Sequence, residues 1–113
     1  MTSQRFDVGG IAVSGDHFID GQRVSSKETF ETRSPRDWNL VLANVARGDA
    51  ATAKAAVAAA TAAFPAWAAL TSAERAAYMH RLADLIDARK DDIAIVECMD
   101  MAMLLESLQL RVV

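Results

Sequence analysis

The chain has 113 residues, with 12 basic and 15 acidic side chains, two histidines, one cysteine and 52% hydrophobic residues. This is the composition of a folded globular chain rather than a disordered or disulfide-stapled one, and the length holds one small core at most. A formal net charge of -3 and a pI near 5.2 leave no basic footprint for nucleic acid or anionic lipid.

Residues 1–15 hold three of the five glycines and little periodicity, and read as a flexible N-terminal arm. From His17 to Val24 an Asp20-Gly21 pair separates two short apolar runs, which predicts a hairpin, because Asp-Gly supplies the positive φ angles of a type I′ turn. Glu28 to Arg33 alternates in the manner of a strand. Ser34 to Asn39 follows as a turn, with Asn39 best able to adopt a left-handed conformation, and Leu40 to Val45 is the next strand.

At Asp49 the composition switches: thirteen of the 22 residues from Asp49 to Leu70 are alanine, the best helix former. Asp49 is placed to cap this helix, Val57, Ala60 and Phe64 share one face, and Pro65 is expected to end it. Ala55 to Ala73 is uncharged over nineteen residues, but its alanines and Pro65 favour two soluble helices over a membrane span. Thr71-Ser72-Ala73-Glu74 is a capping box. Tyr78, Met79, Leu82, Leu85, Ile86, Ile93 and Val96 then recur at three- and four-residue steps. Arg89-Lys90-Asp91-Asp92 interrupts that stripe and predicts a short third helix from about Asp91. The fold class expected is α+β: a short N-terminal hairpin and strands, then two or three packed α-helices.

Chemistry is sparse along this scaffold. Cys98 is flanked by Glu97 and Asp100, not by the electropositive groups that activate a thiol, and reads as a half-buried packing residue. His80 lies one turn before Asp84, where a surface pair is the ordinary explanation, and His17 has no partner visible in sequence. No Cys/His spacing suits zinc. Every glycine lies at or before Gly48, and Gly48 alone leads into a helix, so no dinucleotide fingerprint is present. Met99, Met101 and Met103 read as packing. The single cysteine and the polar start, Met1 to Asp7, make a cytoplasmic location the expectation.

The order of the pieces is informative. Phe18-Ile19-Asp20-Gly21, then Thr29 to Pro35, then Val45-Ala46-Arg47-Gly48-Asp49, then Ala58 to Trp67, then Glu74-Arg75 and Arg81 to Ile86 together resemble the N-terminal segment of the NAD(P)-dependent aldehyde dehydrogenase superfamily. The resemblance runs from about His17 to Asp100. It implies a fragment of an α/β coenzyme domain, belonging to an enzyme that oxidises an aldehyde through a cysteine thiohemiacetal with hydride transfer to NAD or NADP. The family's nucleophile follows a Gly-Gln-x element, whereas Cys98 follows Val96-Glu97, so it is not that cysteine. The general-base glutamate, the oxyanion asparagine and the coenzyme glycines have no counterparts here. The resemblance therefore implies no catalytic and no coenzyme-binding residue in this chain, and no NAD or NADP bound by it alone. Thr32 and Asp100 match two ligand positions of a monovalent-cation site found in some members, and oxygen donors of both types suit a hard cation.

The domain organisation expected is a flexible arm over 1–15, the N-terminal part of an aldehyde dehydrogenase domain over 16–100, and a divergent apolar tail over 101–113. Leu104 to Val113 hold six leucines or valines, able to drive association with a second copy or another chain. The expected function is that of a truncated aldehyde dehydrogenase family protein, inactive alone, whose full-length relatives take an aldehyde as substrate. The alternative is a non-catalytic interaction or assembly module paired with another chain. Neither nucleic acid nor membrane is an expected partner.

Overall fold

The structure is a computed structural model and describes residues 4–102. Among these, six strands precede three helices: β1 Arg5–Val8, β2 Ile11–Ser14, β3 His17–Ile19, β4 Gln22–Val24, β5 Thr29–Ser34, β6 Asp37–Ala46, α1 Ala50–Ala69, α2 Ser72–Asp87 and α3 Lys90–Met101. The strands pair only with their sequence neighbours, as three antiparallel two-stranded sheets. The α+β class expected from the sequence is the one observed.

The first hairpin corrects the reading of residues 1–15 as an arm. Gly9 and Gly10 take φ of 63° and 87°, conformations that cost glycine little, and the Gly10 N–H donates to Asp7 Oδ1 at 3.1 Å. Phe6 then faces Val13 and Val8 faces Ile11 across the pair. The second hairpin turns on Asp20 and Gly21, both at positive φ, as the Asp-Gly pair predicts.

The third hairpin is longer and turns earlier than expected. Ser34 already pairs with Asp37, so the turn is Pro35-Arg36, with the Arg36 N–H donating to Ser34 Oγ at 3.4 Å. Asn39 keeps a negative φ and donates its N–H to Asp37 Oδ1 at 3.0 Å instead. The surplus residues of β6 are absorbed by register shifts on either side of Arg33. One shift leaves Leu42 without a direct partner, and Leu42 and Ala43, adjacent in sequence, are both 7% exposed. A regular strand would have sent them to opposite faces.

Asp49 caps α1, its Oδ1 accepting from the Thr52 N–H at 2.8 Å and the Thr52 hydroxyl at 2.9 Å. The expectation that Pro65 ends α1 is corrected: the helix runs through it to Ala69. Proline removes the N–H that would bond the Thr61 carbonyl, yet the surrounding alanines favour helix strongly enough to continue. The capping box of α2 forms as expected, Glu74 donating its N–H to Thr71 Oγ1 at 3.3 Å and its carboxylate accepting from the Thr71 N–H at 2.7 Å. The break near Arg89 also forms, and α3 begins at Lys90.

The core is small and one-sided. β1 lies beside β6, and α3 packs on β1, β2 and β5, burying Val8, Leu42, Ala43, Ala46 and Ala94. By contrast α1 and α2 bury no residue, and they meet at a tilted pair of rings, Trp67 and Tyr78, with centroids 5.6 Å apart. The radius of gyration is 16.8 Å, against about 13 Å for a compact domain of this length. The accessible surface is 8643 Å², against about 6,000 Å² for a compact monomer of this mass.

Candidate functional site

Thr32 and Asp100, separated by 68 positions in the sequence, line one cleft of about 320 Å³. Its apolar walls include Val8, Val13, Leu42 and Val96, and Glu97 adds a second carboxylate at its rim. Three elements build it. β5 delivers Thr32, whose hydroxyl donates to the Ala43 carbonyl across the ladder at 3.4 Å. The first hairpin supplies the opposite wall, and α3 brings Glu97 and Asp100 into it from one helical turn. The Asp100 side chain is exposed and makes no hydrogen bond or ion pair among the described residues.

Gly15 holds this wall in place. Its carbonyl accepts the Ala46 N–H at 2.8 Å, and a Cβ on it would stand 2.3 Å from the Asn44 carbonyl oxygen. Gly9 has the same role at the turn, where a Cβ would meet Ile95 Cγ2 at 2.7 Å. The Gly-Gly pair framed by Phe6, Val8, Ile11 and Val13 was the available signal for this wall.

The other chemistry-bearing residues do not converge. Cys98 is half-buried on α3 and both His80 and Asp84 are exposed on α2. His17 does have a partner, Ser26, whose hydroxyl lies 3.2 Å from its Nε2. Gly48 lies against this histidine, where a Cβ would stand 3.3 Å from His17 Cε1. The helix start beyond Gly48 suits no phosphate: its amides face Asp49, held below the ordinary carboxylate pKa chiefly by the Thr52 N–H. Among the described residues no three His, Cys, Asp or Glu side chains gather as a metal cluster, and no helix is long and apolar enough to cross a membrane.

A domain model of the aldehyde dehydrogenase family matches residues 22–112. The chain belongs to the aldehyde dehydrogenase family. The match runs past Asp100 into the residues expected to form a divergent tail. The described residues end at 102, so the apolar stretch from Leu104 and the packing expected of Met103 lie outside them. The chain is 45% identical over 85 residues to 5-carboxymethyl-2-hydroxymuconate semialdehyde dehydrogenase of Escherichia coli, a match covering 75% of the chain and 18% of the relative. It is 48% identical over 69 residues to vanillin dehydrogenase of a Pseudomonas species, covering 61% of the chain and 14% of the relative. The aldehyde dehydrogenase segment thus spans less than a fifth of these relatives. Among solved structures it resembles HpcC from Thermus thermophilus, with a TM-score of 0.84 and 32% identity over 93% of this chain and 23% of that one.

Proposed function

We propose that this chain is the leading structural segment of an aldehyde dehydrogenase that oxidises an aldehyde to a carboxylic acid with NAD or NADP, and that the 113 residues alone do not perform the reaction. The observation that carries this reading is the fit to HpcC over 93% of this chain but 23% of that protein. The residues themselves agree. Cys98 follows Val96-Glu97 in α3 rather than the Gly-Gln-x element of the family's nucleophile, and Asp49 occupies the one helix start preceded by a glycine. The segment's part in the reaction is to brace the domain that binds the coenzyme. The test is to incubate purified chain with an aldehyde and NAD or NADP and follow reduced nicotinamide. No turnover above the enzyme-free blank is expected, and clear turnover refutes inactivity.

Within that reading, the cleft suits a monovalent cation. Its donors, the Thr32 and Asp100 oxygens, are hard ligands of the kind such an ion takes, and a bound ion would tie β5 to α3 and neutralise carboxylate charge at the rim. Potassium or sodium chloride should raise the melting temperature above that in choline chloride of equal ionic strength, and Asp100→Asn should abolish the difference. Equal melting in all three salts removes the site.

A further inference from the structure

We infer that the tip of the second hairpin is a site of covalent modification, at which Asp20 converts to isoaspartate through a cyclic imide formed with the Gly21 nitrogen. The reaction needs a carboxyl group next to a backbone N–H that is neither shielded by a side chain nor held in a hydrogen bond. Asp20 is followed by glycine, whereas every other aspartate in the chain precedes a residue that carries a side chain. Both residues are exposed, and a Cβ built on Gly21 would meet nothing within 4 Å. Among the described residues no hydrogen bond engages the Asp20 carboxylate or the Gly21 N–H.

The backbone supplies a second reason. Asp20 is held at φ 50°, in the left-handed region that a residue with a Cβ enters at a cost. The hairpin that imposes this conformation is two strands of three residues with no third strand beside them among the described residues, and an isolated pair is marginally stable in water. It therefore opens readily, and the turn then samples conformations in which nitrogen and carboxyl carbon meet. Ring closure has the advantage of an intramolecular reaction. The Gly21 nitrogen bonds to Asp20 Cγ, and one carboxyl oxygen leaves as water with the amide proton and a proton from solvent. Water then adds to the Asp20 carbonyl carbon, the bond from that carbon to the Gly21 nitrogen breaks, and the nitrogen regains a proton. The main chain now runs through Cβ and Cγ, and the former carbonyl is a free carboxylate. A two-residue turn lengthened by a methylene loses its type I′ geometry, which loosens the Ile19–Gln22 pair and the ladder at whose far end His17 faces Val24.

The experiment incubates the full 113-residue chain in heavy-oxygen water at neutral pH and physiological temperature. The chain is then digested in ordinary water, and electron-transfer mass spectrometry locates the label and separates isoaspartate from aspartate. Heavy oxygen and isoaspartate fragments are expected at Asp20, accumulating roughly tenfold faster or more than at Asp16, a barrier difference of about 1.4 kcal/mol. Asp20→Glu, which would have to close a larger ring, should remove the signal, with circular dichroism checking that the variant stays folded. A chain that takes up no label at Asp20 overturns the proposal. So does label that reaches Asp7 or Asp16 as fast, or a synthetic Phe18–Arg23 peptide that isomerises while the folded chain does not, which would show that the hairpin protects its turn.

Discussion

Gly15→Ala tests whether the first hairpin is part of the fold or an appendage to it. The substitution places a Cβ 2.3 Å from the Asn44 carbonyl oxygen and 3.0 Å from Phe6 Cε2. The first neighbour is backbone within β6, so β2 must move away. That movement stretches the bond from the Ala46 N–H to the Gly15 carbonyl, now 2.8 Å, and Ala46 is 7% exposed. Forced overpacking costs about 1–3 kcal/mol, and a buried N–H left without its acceptor about 1–3 kcal/mol more. Restricting the unfolded chain returns about 0.4–1 kcal/mol, so the net loss centres on about 3 kcal/mol. Amide hydrogen exchange by NMR reads it where it arises, and Ala46 protection should fall by roughly 30- to 1,000-fold. Gly10→Ala is the control, having nothing within 4 Å but a φ of 87°; it should cost about 1–2 kcal/mol through backbone strain alone without singling out Ala46. If Gly15→Ala leaves Ala46 as protected as in the parent, the contact between β2 and β6 does not hold the wall of the cleft.

Three further outcomes follow from the helices. Thr71→Ala removes the acceptor of the Glu74 N–H and should lower stability by about 1 kcal/mol in urea titrations, with fraying of α2 seen in exchange at its first turn; unchanged exchange there would count against the cap. The Asp49 and Glu74 carboxyls are both held below their ordinary pKa, chiefly by the Thr52 and Thr71 backbone N–H groups. Groups depressed in the folded state contribute stability above their unfolded pKa and lose it as pH falls through the folded value. Helical ellipticity should therefore hold at neutral pH and decline below about pH 4, and the Asp49→Asn, Glu74→Gln double variant should flatten that decline. Pro65→Ala restores the missing donor in α1 and should raise the helical signal and the melting temperature; a fall in either would mean that the proline sets a needed bend.

What the sequence made legible was local. The Asp20-Gly21 turn, the Asp49 cap, the Thr71–Glu74 box and the break before Lys90 each depend on residues within four positions of one another, and all four form as expected. The departures share a different origin. Pro65 taken by its own preference predicts a helix end, and the alanines on either side outweigh it. Asn39 needs no left-handed conformation, because Ser34 and Pro35 let the turn close two residues earlier. The cleft is half legible: resemblance pairs Thr32 with Asp100, and both do line it. Its other wall depends on Gly9 and Gly15 letting the first hairpin approach Ile95 and Asn44, and such distant contacts leave no spacing to detect.

The same division explains the uneven packing of the chain. α1 and α2 satisfy more of their backbone groups locally, through alanine content, an aspartate cap and a reciprocal capping box, and neither buries a residue. They can therefore stand exposed, and the surface in excess of a compact monomer includes theirs. α3 differs. Its N-cap Arg89 makes no side-chain cap bond, and it is held instead by Ala94, fully buried, and by its seat against β1, β2 and β5. The cleft is built where tertiary contact is obligatory, between the one helix that depends on its neighbours and the strands that hold it. A substitution there should move cleft and fold together, whereas α1 and α2 should keep their helicity through changes that empty the core.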